Sequence, residues 1–225
     1  MDKLERKYQA VIEYFREKMP VVKTELQHRN AYELIVAVIL SAQCTDKRVN
    51  MITPALFERF PDFQSLSAAR IEEIFQLIKS CSYPNNKARH LKAMAEKVVN
   101  DFGGRLPEEP EMLQKLPGVG RKTAHVLASV LFGKPVIAVD THVFRVSKRI
   151  GLVKNATTPL SCEKQLMQYF PPEVLADAHH WLILHGRYVC MARKPNCSAC
   201  GLNTICDFYQ LQQQKELPVK TVRKA

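Results

Sequence analysis

The sequence predicts an all-α fold, and three observations carry that expectation. Apolar residues recur at helical spacing from the start of the chain, with Leu4, Tyr8, Val11, Ile12 and Phe15 on one face. Glycines fall where helices should end, at Gly103-Gly104, Gly133 and Gly151. Only one run reads as a strand, "PVIAV" at 135–139, and nothing alternates in step with it, so it is expected as a buried extended connector.

Taken in order, the first helix is amphipathic and begins within the first few residues. Asn30 with Glu33 three residues on resembles a capping arrangement, and the run "LIVAVIL" follows at 34–40. That run is apolar on nearly every side, the pattern of a helix at the centre of a core. Further helices are expected at roughly 46–60, 68–80, 86–102, 110–115, 121–132, 141–150, 160–170 and 172–187. The polar, basic end of the chain is read as a frayed tail. No solenoid repeat or low-complexity stretch interrupts this order.

At 225 residues the chain can form one large domain or two small ones. Its longest aliphatic run, Leu34 to Leu40, is far short of the roughly 20 residues that span a membrane. The N-terminal "MDKLERKYQAVIEYF" is charged and has no apolar signal core, so a cytoplasmic location is expected. A formal charge of +11 points to a polyanionic partner such as nucleic acid. Its distribution sharpens the point. Between Met112 and Cys162 stand eight Lys or Arg residues and one carboxylate, Asp140, and from Ala178 to Cys206 there is none. Acid-free stretches of this kind suit a face that follows phosphates.

The stretch "LPGVGRKTAH" at 116–125 holds the most chemistry. It is neither a Walker loop, since Arg121 stands where Gly must precede Lys, nor a dinucleotide fingerprint, since Thr123 stands where the third Gly belongs. No nucleotide cofactor is therefore expected. Pro117 ends one helix, Gly118 and Gly120 permit a tight turn, and a second helix opens at once. Turn amides beside a helix N-terminus make an anion site suited to one phosphodiester; a plain helix connector has the same residues. The helix dipole and the adjacent Arg121 both disfavour an ammonium at Lys122, and a lysine amine is a nucleophile toward carbonyl carbon. Taken alone, a solvated surface lysine is the commoner outcome. Asp140 precedes "THVFRVSKRI" and is well placed as an N-cap, a role that would also keep its carboxylate ionised.

Seven cysteines without a secretion signal argue against a disulfide framework. Cys190, Cys197, Cys200 and Cys206 follow gaps of six, two and five residues, and four thiolates on so short a loop suit a tetrahedral metal or a cubane cluster. Structural zinc and iron–sulfur stand level on ligand chemistry, although zinc ribbons more often show two close pairs. Arg193 and Lys194 lie at the tip of the first gap, where they would meet a phosphate backbone. Cys44, Cys81 and Cys162 are scattered and read as buried thiols.

These residues together resemble the endonuclease III family of helix-hairpin-helix DNA glycosylases. The carriers are "LIVAVILSAQCTD" at 34–46, "LPGVGRKTA" at 116–124, "VIAVDTHVFRV" at 136–146, "HHWLILHGRYVC" at 179–190 and the spacing C-x6-C-x2-C-x5-C. The resemblance tips the cysteines to a [4Fe-4S] cluster. It implies that Lys122 attacks C1′ of a damaged nucleotide, displaces the base and forms a Schiff base that leads to strand cleavage by β-elimination. Asp140 would assist the lysine and stabilise positive charge on the sugar, and Gly118 and Gly120 would grip backbone phosphate beside Arg121. Gln43 would fill the space that the flipped nucleotide vacates. Tyr83 would be the wedge, while Asp46 and His142 would line the pocket.

One stretch departs from the pattern. The family commonly reads Gly, an apolar residue, Tyr, then Asn or Arg before "xKA", whereas this chain reads "SYPNNKA" at 82–88, so Ser82 and Pro84 change the backbone options of the loop. The implied architecture is two helical domains with a DNA cleft between them. A six-helix barrel with the helix-hairpin-helix would span 23–134, a cluster domain would combine 1–22 with 135–209, and a basic tail would occupy 210–225. The implied activity is excision of oxidised pyrimidines from duplex DNA by a monomeric, nucleoid-associated bacterial-type enzyme with abasic-site lyase activity. The alternatives are pyrimidine dimers as substrate, mismatched adenine (a branch that typically lacks a lysine at the position of Lys122), or a non-catalytic iron–sulfur DNA-binding module.

Overall fold

The computed structural model describes residues 2–216 and contains, among them, helices and no strands. The chain divides into two compact units, one of residues 24–138 and one combining 1–23 with 139–225.

In the unit of residues 24–138, α2 (Ala31–Ser41) is the centre, with Leu34 to Leu40 all buried. Asn30 caps it by accepting from the Glu33 amide at 2.9 Å. Around it pack α3 (Asp46–Arg59), α6 (Pro84–Phe102) and α8 (Arg121–Phe132), with α4 (Phe63–Ser67), α5 (Ile71–Ile78) and α7 (Pro110–Leu113) completing the shell. A helix apolar all round can be stable only when wrapped in this way. The short α4 has no counterpart in the sequence reading: five residues show no periodicity, and the Asp62–Ser65 capping box that starts it looks like any polar turn. The "PVIAV" segment is irregular and extended, with Ile137, Ala138 and Val139 buried.

The second unit comprises α1 (Lys3–Lys18), α9 (Thr141–Ile150), α10 (Pro159–Tyr169), α11 (Leu175–Tyr188) and α12 (Asp207–Glu216). The apolar face of α1 buries Tyr8, Val11, Ile12 and Phe15. Phe15 stacks on Trp181 at 5.6 Å, and the indole nitrogen of Trp181 donates to the Met19 carbonyl at 3.0 Å. Burying aromatic rings of this size stabilises by about 2–3 kcal/mol each, so the first helix is fixed mainly by this face.

The end of the chain corrects the sequence reading. Residues 213–216, expected in a frayed tail, are the last turn of α12, which is held by an ion pair of Asp207 with Lys7 and by the Arg149 guanidinium over the Phe208 ring at 4.5 Å. These anchors come from distant parts of the sequence, and the helix itself has no amphipathic pattern to betray it. The remainder of the expected tail, 217–225, lies outside the described residues.

Candidate active site

The hairpin is built from a short helix, a turn and a long helix. The helix α7 stops at Leu113, earlier than the sequence suggests, because its last carbonyls close into turns at Lys115 and Leu116. A β-turn then runs from Leu116 to Val119, the Val119 amide donating to the Leu116 carbonyl at 3.0 Å. Pro117 occupies its second position and Gly118 its third, with φ +79°, the signature of a type II turn. A Cβ at Gly118 would also stand 3.0 Å from Cβ of His90 on α6. Gly120 is different: its φ of −85° suits any residue, and a Cβ there would meet nothing within 4 Å. It is the N-cap of α8 and offers no side chain to the first-turn amides. Arg121 and Lys122 follow, both exposed.

Two neighbouring loops of the same unit place Gln43 and Tyr83. Gln43 is exposed in a turn from Ser41 to Cys44, with Ala42 at φ −57° and ψ 112° and Gln43 at φ +54°. Tyr83 caps α6 in left-handed backbone, φ 56° and ψ 47°, and is 62% exposed. The two loops are joined. The Ser82 hydroxyl donates to the Gln43 carbonyl at 2.5 Å. Lys87, buried at 5% exposure, reaches back from α6 to the Leu40 and Ala42 carbonyls at 2.7 and 2.8 Å. An ammonium at the C-terminus of α2 complements both its open carbonyls and its dipole. Lys87 has no role in the sequence reading, where it serves only to align the stretch, and Ser82 figures there only as a departure from the family pattern. A lysine one turn into a helix gives no sign that it is buried. Asp46 opens α3 and is half-buried, the cap itself being Thr45.

In the other unit Asp140 is the N-cap of α9, its Oδ1 accepting from the Val143 amide at 2.8 Å, and it is half-buried. His142 is the second residue of α9, packed on Gly186, where an added Cβ would lie 3.0 Å from the His142 Cβ. Its Nδ1 lies 3.2 Å from a guanidinium nitrogen of Arg145. A guanidinium can only donate, so Nδ1 accepts and the ring proton of neutral His142 sits on Nε2.

The basic stretch is less of a phosphate face than its composition suggests. Arg145 donates to the Gly186 and Cys190 carbonyls, and Arg149 to those of Met191 and Ala192, each at 2.8–3.2 Å. Lys134 pairs with Glu109 at 2.6 Å. Lys115, Arg121, Lys122, Lys148 and Lys154 remain exposed. Charge counts register a cation but not the direction in which its side chain runs.

Cys190, Cys197, Cys200 and Cys206 line one pocket, with Ile150, Val189, Leu202, Phe208 and Tyr209 among its other walls. Arg149 stands 3.5 Å from the Cys190 sulfur, and His185 Nε2 3.5 Å from that of Cys200. Burial pushes the thiols of Cys197, Cys200 and Cys206 above the ordinary range, so binding a metal there exchanges protons for it. Burial pushes His185 down to about 4, which leaves it neutral near pH 7. Among the described residues no three His, Cys, Asp or Glu side chains converge as they would on a single ion. Arg193 and Lys194 are exposed on the loop between the first two cysteines. Of the other thiols, Cys81 and Cys162 are buried as expected, whereas Cys44 is half-buried.

A hairpin whose second helix opens on an exposed lysine, in a chain whose described regular structure is all helix, defines a class. The model of the HhH-GPD superfamily of base excision DNA repair proteins matches residues 36–172. The chain is 46% identical over 198 residues to endonuclease III of Bacillus subtilis (strain 168), covering 88% of this chain and 90% of that protein. It is similar to a solved endonuclease III trapped as a covalent intermediate with DNA, an estranged-adenine complex, with a TM-score of 0.88 and 41% identity over 93% of this chain and 98% of that one. A thermostable thymine-DNA glycosylase shares the fold, with a TM-score of 0.83 and 24% identity over 93% and 100% of the two chains. The chain belongs to the endonuclease III family of base-excision DNA glycosylases with abasic-site lyase activity. No helix among the described residues is long and apolar enough to cross a membrane.

Proposed function

We propose that this chain excises oxidised pyrimidines from duplex DNA and then cuts the strand at the abasic sugar, with Lys122 as the nucleophile. The observation that carries this reading is the start of α8, where an exposed lysine follows a left-handed glycine turn and a cap position without a side chain. The Gly118–Gly120 turn and the α8 N-terminus hold a backbone phosphate, Arg121 adds charge, and the lesion nucleotide leaves the stack. The Lys122 amine forms a bond to C1′ as the glycosidic bond breaks and the base departs. The ring then opens to a Schiff base, a proton leaves C2′, and the C3′–O bond breaks to release the 3′ strand. Asp140 takes up the lysine's proton and stabilises positive charge on the sugar, while Asp46 and His142 line the pocket. Gln43 and Tyr83 enter the duplex at the vacated position, and Arg193 and Lys194 track phosphates beyond it.

The four cysteines hold a [4Fe-4S] cluster in this reading, in a domain formed by 1–22 and 135–209, with the hairpin carried by a six-helix barrel at 23–134. A single zinc needs its thiolates around one ion at about 2.3 Å, whereas a cubane takes one thiolate at each iron and so accepts a wider pocket. The pocket that all four cysteines line and the Arg149 guanidinium beside the Cys190 sulfur favour the latter. The chain would act as a cytoplasmic, nucleoid-associated monomer.

The test is borohydride trapping on duplex DNA that contains thymine glycol. Wild type is expected to give a covalent adduct and Lys122→Ala none. Asp140→Asn keeps an N-cap of equal quality, so it should fold normally while trapping about 10²- to 10³-fold more slowly. Base release by wild type without any adduct would remove Lys122 from its role. Tight binding with neither release nor adduct would mean a DNA-binding module.

A further inference from the structure

Three residues of the described chain other than glycine have positive φ: Gln43, Tyr83 and Asn155. Asparagine visits that region readily, whereas glutamine and tyrosine do so at a cost. Gln43 and Tyr83 are both exposed, and each sits in its own loop of the same unit. Pro84, the first residue of α6, disfavours the right-handed helical region at Tyr83 but does not by itself select the left-handed one, and no such neighbour acts on Gln43. A backbone of this kind persists only where its surroundings over-determine it.

Two groups do so here. Lys87 holds the carbonyls at the end of α2, which fixes where the Gln43 turn begins. The Ser82 hydroxyl then takes the carbonyl of Gln43 itself at 2.5 Å, from the residue that directly precedes Tyr83. One hydroxyl thus couples the two left-handed residues. We propose that Ser82 is a positioning residue that ties the Gln43 and Tyr83 loops into one rigid element, so that both side chains enter the duplex together. This rests on the reading of Gln43 and Tyr83 as the residues that enter DNA. It goes beyond that reading in assigning their registration to a single hydrogen bond specific to a hydroxyl at position 82. Without that bond the Gln43 turn relaxes toward its commoner conformers, and the entropy of ordering it is incurred during insertion rather than during folding.

The experiment compares Ser82→Ala and Ser82→Thr with wild type on three readouts. These are base release from thymine-glycol duplexes, borohydride trapping on an abasic site in duplex and in single-stranded DNA, and the fluorescence of 2-aminopurine placed opposite the lesion. Single strands have no vacated space to fill, so the duplex-to-single-strand ratio reports insertion rather than general stability. Loss of one neutral hydrogen bond should lower that ratio about threefold to tenfold in Ser82→Ala, with a weaker 2-aminopurine signal. Ser82→Thr, which keeps the hydroxyl, should return to within about twofold of wild type. An unchanged ratio in Ser82→Ala overturns the clamp, as does an equal loss on both substrates with a lowered melting temperature. If wild type traps on neither substrate, the catalytic reading falls and takes the clamp with it. If wild type traps normally and only the ratio fails to move, the clamp alone is wrong.

Discussion

Two turns in the unit of residues 24–138 share one geometry and solve it with opposite residues. From Leu116 to Val119 the third position is Gly118 at φ +79°, preceded by Pro117. From Ser41 to Cys44 the third position is Gln43 at φ +54°, preceded by Ala42 at φ −57° and ψ 112°. A type II turn favours glycine at that place, and a side chain there costs about 1–2 kcal/mol. The hairpin turn therefore has the residue its backbone prefers and presents amides. The Gln43 turn carries strain and presents a side chain. On the proposed reading the difference separates two uses of a turn: one offers its backbone to a phosphate, and the other retains an unfavourable residue for the sake of its amide group.

The contrast is broken most severely at Gly118. Gly118→Ala adds the left-handed penalty and a Cβ 3.0 Å from the His90 Cβ, so either the turn or α6 must shift. We expect a loss of about 2 kcal/mol in unfolding free energy, measured by denaturant titration. DNA affinity should fall at least about tenfold by fluorescence anisotropy, because the turn amides no longer aim at one point. Wild-type affinity in a folded Gly118→Ala protein would show that the backbone of this turn is not the ligand.

How much of this was legible in the sequence depends on the range of the interaction. The capped α2 with its apolar run, the boundaries of α8 and α9, and Asp140 as the cap of α9 are local matters of propensity and spacing, and the structure has them where they were expected. The same holds for Gly103, Gly133 and Gly151, which end α6, α8 and α9 in left-handed backbone. The misses are not local. The helix α12 depends on Lys7 and Arg149, residues far away in the chain. Arg145 and Arg149 spend their charge on carbonyls some 40 residues on, so a stretch that reads as a cationic face is partly internal scaffolding. Ser82 and Lys87 act on backbone carbonyls near residue 40, and no pattern of side chains records a bond to a carbonyl. The left-handed Gln43 was equally hidden, since only glycine announces positive φ.

A smaller effect separates stability from binding at the other hairpin glycine. Gly120 has ordinary backbone and open space around it, so its lack of a side chain is not required by the fold. Gly120→Ser supplies α8 with a side-chain cap, and replacing glycine by serine at an N-cap stabilises by a few tenths of a kcal/mol. The hydroxyl would then occupy the first-turn amides that the proposed site reserves for phosphate. The expected result is a slightly raised melting temperature together with weaker DNA binding, by about threefold to tenfold. Raised stability with unchanged affinity would place the phosphate elsewhere.

A last test makes the two turns alike. Gln43→Gly relieves the left-handed penalty of about 1–2 kcal/mol, but glycine also gives the unfolded chain more freedom, worth about 0.5–1 kcal/mol in the opposite direction. The net gain therefore lies between about zero and about 1.5 kcal/mol, since the Ser82 and Lys87 bonds to this loop run to backbone carbonyls and survive the substitution. Base release from duplex should nonetheless fall, since no side chain remains to fill the vacated space. A protein that is marginally more stable and clearly less active on duplex would show that the strain at residue 43 is maintained for insertion. A less stable protein would instead mean that the glutamine side chain holds its own turn, and the two turns would differ in how they fold rather than in what they present to DNA.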